Sequence, residues 1–282
     1  MRNRNTIRVL LVLLTLINGI SLMAQTKGNA TFGGLKNLEL VNNYYNGGTG
    51  SFGSGPPARN LHLEFTANAQ AIISAAKKGS GNFVGNPGGY PVMFFSTGTN
   101  VVLNSIGGIS TALWFSYSAL QPGSVTVFDG PNGTGNILAN ITLPPNNTGC
   151  TTYQLCVWSP IGIPLPTRAQ SLRFGGVANN LAIATIHFGA KIPTSIELTS
   201  SPNPSAVGQP VIFTAAVAAT GAAPAGSVKF KNGNKVLGEV PVVGGMASIT
   251  ASSLPAGSTK ISAIFRGTGF VTSTGTTIQT VN

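Results

Sequence analysis

Five carboxylates serve a chain of 282 residues: Glu39, Glu64, Asp129, Glu197 and Glu239. A glycoside-cleaving site needs two of them facing each other across a substrate. Only Glu39, Glu64 and Asp129 lie in the first two thirds of the chain, and Asp129 opens a turn-like run, Asp-Gly-Pro-Asn-Gly-Thr-Gly. That run offers one carboxylate where a calcium loop wants several oxygen ligands, so turn chemistry is its reading. His62 and Glu64 stand two apart on a predicted strand and would share a face, either as an acid/base pair or as two solvated side chains. No Gly-x-Ser-x-Gly elbow, phosphate loop or His-x-x-x-His pair occurs. The expectation is a non-enzymatic chain with no catalytic residue, no metal site and no cofactor.

Cys150 and Cys156 are the only cysteines. They read as a disulfide, whose short loop contributes on the order of 2 kcal/mol in the chain-entropy view. A metal site would need two further ligands, and His62 and His187 are far off in sequence. The oxidising compartment a disulfide requires fits the N-terminus. Arg2, Arg4 and Arg8 precede the apolar run Val9–Met23, and Ala24 is a small residue at a cleavage position. This is the layout of a secretory signal peptide over residues 1–24, shorter than the about 20 apolar residues of a membrane span. The mature chain is expected to be secreted or at the cell surface, without a membrane span and without a lipid-bearing cysteine.

Beyond the signal, 13 basic side chains face 5 acidic ones, a net charge of +8. The cations are scattered, with Lys77-Lys78 their only adjacent pair, and just 7% of residues are charged. No motif for specific nucleic-acid binding accompanies them. With 37 Gly and 18 Pro punctuating short alternating runs, the fold class is all-β. The predicted strands before the hinge are Leu61–Phe65, Val92–Ser96, Val101–Ile106, Thr111–Ala119, Ser124–Phe128, Ile137–Leu143, Ser171–Phe174 and Ala182–Phe188. Ala67–Lys78 could form a short helix, although Ile72-Ile73 favours a strand over Gln70–Ser74. The long Gly-rich loops Asn42–Arg59 and Gly79–Tyr90 hold Tyr44, Tyr45, Phe52, Phe83 and Tyr90, and long loops often carry function.

Thr111–Pro144 is the central stretch. Leu113, Phe115 and Tyr117 alternate inward, with Val125 and Val127 continuing the apolar face. Trp114 then points outward. If Gln121–Gly123 closes a hairpin, Ser116 lies opposite Phe128 and Trp114 sits on its diagonal, within aromatic contact. Trp114 and Phe128 would form a platform for sugar rings, with Tyr44 and Tyr45 as further candidate ligand contacts, unless the other sheet or the C-terminal unit covers that face.

Two resemblances add to this. LVNNYYNGGTGSFGSGP, FSYSALQPGSVTVFDGPNGTGNILA and SLRFGGVANNLAIATIHFG make residues 32–190 similar to exported bacterial proteins of the PEP-CTERM type. The resemblance implies a jelly-roll-like antiparallel β-sandwich over residues 25–190 and no established activity. The Pro-Glu-Pro sorting motif is absent, and Ala184 stands where an Asp that could ligate calcium is usual. After a linker at residues 191–194, the run TSIELTSSPNPSAVGQPVIFTAAV, PAGSVKFKNGNKVLGE and LPAGSTKISAIF resembles a bacterial immunoglobulin-like domain of group 3. This implies an immunoglobulin-like sandwich over residues 195–282, commonly a spacer; Phe265 replaces the usual Tyr and Thr268 the usual Asp. The functional expectation is a secreted non-enzymatic binding or adhesion protein whose partners are extracellular polysaccharide or cell-surface components. The alternatives are a structural surface or matrix protein without a small-molecule ligand, and a glycan-active hydrolase.

Overall fold

The computed structural model describes residues 25–282; the signal peptide expected over residues 1–24 lies outside them. Two sheets build the N-terminal sandwich, all their pairings antiparallel. The eight-stranded sheet runs Gly28–Ala30, Ile186–Phe188, Ala112–Ala119, Leu181–Ile183, Val92–Phe94, Gln70–Ile72, Glu39–Leu40, and Ser159–Pro164 also pairs with Ala112–Ala119. The five-stranded sheet runs Leu63–Phe65, Asn100–Ile109, Ala169–Gly175, Gly123–Phe128, Ile137–Leu143.

The inward alternation read from the sequence holds. Leu113, Phe115, Tyr117, Val125 and Val127 are all buried in one core cluster. Phe115 meets Phe174 of the facing sheet edge-on, with ring centroids 5.4 Å apart. The hairpin does not hold. Ala112–Ala119 belongs to the eight-stranded sheet and Gly123–Phe128 to the five-stranded one, so the Gln121–Gly123 segment carries the chain from sheet to sheet. Alternation alone cannot separate these cases, because an inward row facing its neighbour across the core has the same period of two as one beside it. The Ala67–Lys78 stretch divides into a strand at Gln70–Ile72 and a 3-10 turn at Ala75–Lys77.

Seven strands build the C-terminal sandwich. Thr194–Ser201, Val211–Ala219 and Met246–Ala251 form one sheet; Lys235–Pro241, Ser227–Asn232, Gly257–Arg266 and Ser273–Val281 form the other. Phe213, Phe230 and Phe265 fill the space between them without solvent exposure.

The segment expected as a linker packs as part of the fold. Ile192 is fully buried, shares a core cluster with Ala112 and the C-terminal phenylalanines, and bonds through its backbone to Gly269 and Val271 at 2.9 Å each. Gly162 N donates to Gly221 O at 2.8 Å. A side chain at Gly162 would press on Thr220 O at 2.6 Å, so the strand lies directly against the C-terminal unit.

Candidate functional site

The aromatics proposed from sequence do not come together. Phe128 lies on the other sheet from Trp114 and is buried, with the Arg173 guanidinium 5.0 Å above its ring. Tyr44 and Tyr45 belong to the core. Tyr45 Oη accepts a bond from Phe32 N at 2.6 Å, Tyr44 Oη donates to Gly33 O at 2.9 Å, and the two rings meet edge-on at 5.0 Å. Their 3-10 turn carries both rings inward, which a loop reading of Asn42–Arg59 could not foresee.

Trp114 does face outward, half-buried, but its partner is an imidazole. Its ring stacks on His187 at 3.5 Å with an interplanar angle of 8°. The two residues are opposite each other on antiparallel strands. The other neighbour of Trp114 is Gly162, which lies under the C-terminal unit. The indole Nε1 is buried and has no hydrogen-bond partner among the described residues. Burial pushes the His187 imidazole below its ordinary value near 6.5. The folded state thus loses stability as pH falls through the interval between 6.5 and that lower value, where the unfolded chain protonates first. An NMR titration of His187 should show a midpoint below 6.5; a midpoint at or above it would contradict the stacked, desolvated arrangement.

Further along the same outer face the sheet is roofed by two loops. Phe83, Val92, Leu155, Ala182 and Ala184 form a small apolar cluster there, with Ile72, Leu120 and Trp158 against it. Ala184 is therefore packed in hydrocarbon. The loops are joined by several bonds. Asn82 Nδ2 donates to Gln154 Oε1 at 2.9 Å, Gln154 N to Asn82 Oδ1 at 3.0 Å, and Val84 N to Leu155 O at 3.1 Å. The indole Nε1 of Trp158 donates to Val84 O at 2.9 Å. The Cys150–Cys156 disulfide closes the second loop, as its sequence suggested.

Between these loops and the sheet lies a pocket of about 160 Å³. Phe83, Phe94, Leu120 and Leu155 give it an apolar lining, while Asn82, Gln154 and Asn179 bring amides to it. It is smaller than the roughly 300–1,000 Å³ that encloses drug-sized ligands, and suits one ring-sized group. Sequence reasoning singled out Phe83 and the Gly79–Tyr90 loop, but not Gln154 or Asn179. A signal was present in the short Cys150–Cys156 loop, which stiffens the backbone beside Gln154.

No carboxylate lines this pocket. Glu64 is exposed and accepts a bond from Asn46 Nδ2 at 2.8 Å, while His62, half-buried, takes a left-handed backbone (φ 55°) just before the Leu63–Phe65 strand; Leu61, Leu63 and Phe65 alternate with them in the core. Asp129 holds its own turn, accepting from Asn136 N at 2.7 Å and Asn136 Nδ2 at 2.8 Å, and these bonds lower its carboxyl pKa. Glu39 is buried and accepts four bonds from its surroundings. Among the described residues no group of three His, Cys, Asp or Glu side chains could hold a metal ion, and no helix is long and apolar enough to cross a membrane.

No curated protein matches the chain. Similar solved structures include the glycoside hydrolase domain of Endo-D from Streptococcus pneumoniae R6, at 12% identity and a TM-score of 0.32 over 92% of this chain; the match spans 44% of that domain's length. A point mutant of a family 29 carbohydrate binding module is similar at 11% identity and a TM-score of 0.32, over 57% of this chain and 92% of that one. The fibronectin(III)-like modules of Clostridium thermocellum CbhA are similar at 11% identity and a TM-score of 0.28, over 64% and 85%. The family match covers no residue of the N-terminal sandwich, so its likeness to PEP-CTERM-type proteins stays a resemblance in sequence. At the other end the motif reading and the seven-strand sandwich converge: residues 198–282 match the family model of the bacterial Ig-like domain (group 3).

Proposed function

We propose that this chain is an exported, non-catalytic binding protein that takes one sugar unit of a neutral extracellular polysaccharide in the roofed pocket of its N-terminal sandwich. The observation that carries this reading is the pocket's chemistry: aromatic and aliphatic walls beside side-chain amides, on loops fixed by a disulfide and reciprocal hydrogen bonds. A sugar ring offers an apolar C–H face and a rim of hydroxyls, and such a lining complements both. Fixed loops lower the ordering cost of binding. The engagement of Glu39, Glu64 and Asp129 in holding the fold supports a binding role over a hydrolytic one. The Ig-like unit, docked through Ile192 and Gly162, acts as a rigid neighbour. Export is supported by the signal-like N-terminus and by the disulfide.

The test is retention on insoluble neutral polysaccharides. Gln154→Ala with Asn179→Ala should weaken retention roughly five- to tenfold, the effect of one or two lost hydrogen bonds. Trp114→Ala should leave retention unchanged. A full loss with Trp114→Ala and none with the amide pair would move the site to the Trp114–His187 stack. No retention of the unaltered protein by any neutral polysaccharide would favour a structural protein without a sugar ligand.

A further inference from the structure

A second concavity lies where the two sandwiches meet. It is an open cleft of about 760 Å³, walled on one side by Ser110, Thr111 and Arg168, on the other by Arg266 and Gly269, with Lys191 at the junction. The three cations come from three separate segments and are all exposed. No carboxylate lines the cleft. Glu239 lies close enough to feel the charge of Arg266, but it is engaged by Lys229 at 3.0 Å and Ser227 at 2.7 Å. With 13 cations against 5 anions beyond residue 24, three convergent positive side chains keep an uncompensated field.

The cleft is preformed. Arg168 lies across Gly108, where any Cβ would come within 2.1 Å of its Nε, so Gly108 leaves the space the side chain occupies. Gly269 packs on Thr111 O and Pro164, and its own carbonyl receives Ile192 N. Ser110 Oγ is anchored by Gln25 Oε1 at 2.7 Å. The floor is thus built from backbone of both sandwiches, and the cations stand on fixed ground around it.

We infer that this cleft binds a segment of an anionic polysaccharide, one that carries carboxylate or sulfate groups along its length. The inference does not rest on the pocket proposed above, which lies elsewhere and has no cation in its lining. Three cations around one cleft suit a repeating anion better than a single one. The threonine and serine hydroxyls between them suit sugar hydroxyls. No aromatic side chain lines the cleft, whereas single-stranded nucleic acid is held chiefly by bases stacked on aromatics.

The test uses the full mature protein in affinity electrophoresis through gels containing alginate, sulfated dextran or neutral dextran, with a single-stranded oligonucleotide as competitor. Alginate or sulfated dextran should retard the protein and neutral dextran should not act through this cleft. The triple substitution Arg168→Ala, Lys191→Ala, Arg266→Ala should weaken retardation about tenfold and flatten its salt dependence. The matched triple Lys231→Ala, Lys235→Ala, Lys260→Ala removes the same charge elsewhere and should stay within about twofold of the parent. Lys191→Ala alone, at an exposed position, should give a smaller loss of the same sign if the triple folds poorly. Equal losses in both triples would overturn the proposal in favour of net charge alone. An oligonucleotide that competes as strongly as the sulfated glycan would also overturn it, as would no retardation by either anionic glycan. Loss of neutral-polysaccharide retention by Gln154→Ala and Asn179→Ala, with anionic retardation intact, would show the two sites to be separate.

Discussion

Glu39→Ala should lower the thermal midpoint of the N-terminal sandwich by about 6–15 °C, the consequence of losing roughly 3–5 kcal/mol. Glu39 has no solvent contact, and its carboxylate ties together two parts of the chain. Oε2 accepts from Lys36 N at 2.7 Å and Ser54 Oγ at 2.5 Å; Oε1 accepts from Phe52 N at 2.8 Å and Ser54 N at 3.1 Å. Alanine would leave a void facing these four donors, of which Ser54 N and Oγ are buried and Lys36 N and Phe52 N lie nearer the surface. An unmade hydrogen bond at a buried donor costs more than a made one contributes, so the loss should exceed that of a surface acid. Glu39→Gln keeps the volume and one carbonyl oxygen but turns an NH2 toward donors, and should cost about half as much. Burial taken alone raises the carboxyl pKa; the bonds from Ser54, Lys36 and Phe52 more than offset it, and the net value falls below the ordinary 4.5. The pH dependence follows from that sign. A depressed folded pKa contributes stability that is present above the unfolded value and is lost as pH falls from there through the folded one. The parent protein should therefore lose midpoint below about pH 4.5 more steeply than Glu39→Gln does. A Glu39→Ala protein that melts within about 2 °C of the parent would show that water or a shifted loop replaces the carboxylate.

Glu39 also marks a limit of sequence reading. As one of five acids it drew notice as a possible catalytic group, and its neighbours in sequence, Leu38 and Leu40, gave no sign that it turns inward. Its partners sit 13 and 15 residues away in a Gly-rich loop, and only the closed loop makes a buried carboxylate tolerable. The strands were legible where side chains alternate between core and solvent, as at Leu113–Tyr117 and Val211–Val217. The C-terminal sandwich was the most legible part, because short turns such as that after Asn232 leave few ways to pair its strands. What alternation could not supply was which sheet a strand joins, and the Trp114–Phe128 platform failed at that step. The roofed pocket and the interdomain cleft depend on contacts between segments 70 or more residues apart, Asn82 with Gln154 and Thr111 with Gly269. Residue types there were ordinary polar and glycine, so no local pattern distinguished them from any other loop.

Gly221→Val should separate the two sandwiches without unfolding either. Gly221 has φ 65°, in the left-handed region that a β-branched side chain strongly disfavours. A Cβ at this position would lie 2.4 Å from Pro160 O and 2.6 Å from Ile161 N, both backbone atoms of the N-terminal sandwich. Its carbonyl also accepts the Gly162 N bond that joins the units. Neither strain nor clash can be relieved by a rotamer, so the 220–221 turn must withdraw. Ala219 and Ala222 beside this turn touch only the margin of the Ig-like core, whose centre is filled by the fully buried Phe213, Phe230 and Phe265, so both sandwiches should remain folded. Calorimetry should then resolve the melting into two transitions. Trypsin should cut after Lys191 at least about tenfold faster, because local opening governs cleavage and the bonds of Ile192 to Gly269 and Val271 would no longer hold the segment closed. Gly208→Val is the control. It has φ 81° but open space where a Cβ would stand, so it imposes the backbone strain without the clash. If Gly208→Val separates the transitions as well, strain in the Ig-like unit is the cause and docking is not. If Gly221→Val melts in one transition and resists trypsin as the parent does, the contact at Pro160 is dispensable. Undocking also dismantles the cleft between the sandwiches while leaving the roofed pocket whole. The same variant should therefore lose retardation by anionic glycans and keep retention on neutral ones, a dissociation that a change in net charge cannot produce because Gly221→Val alters none.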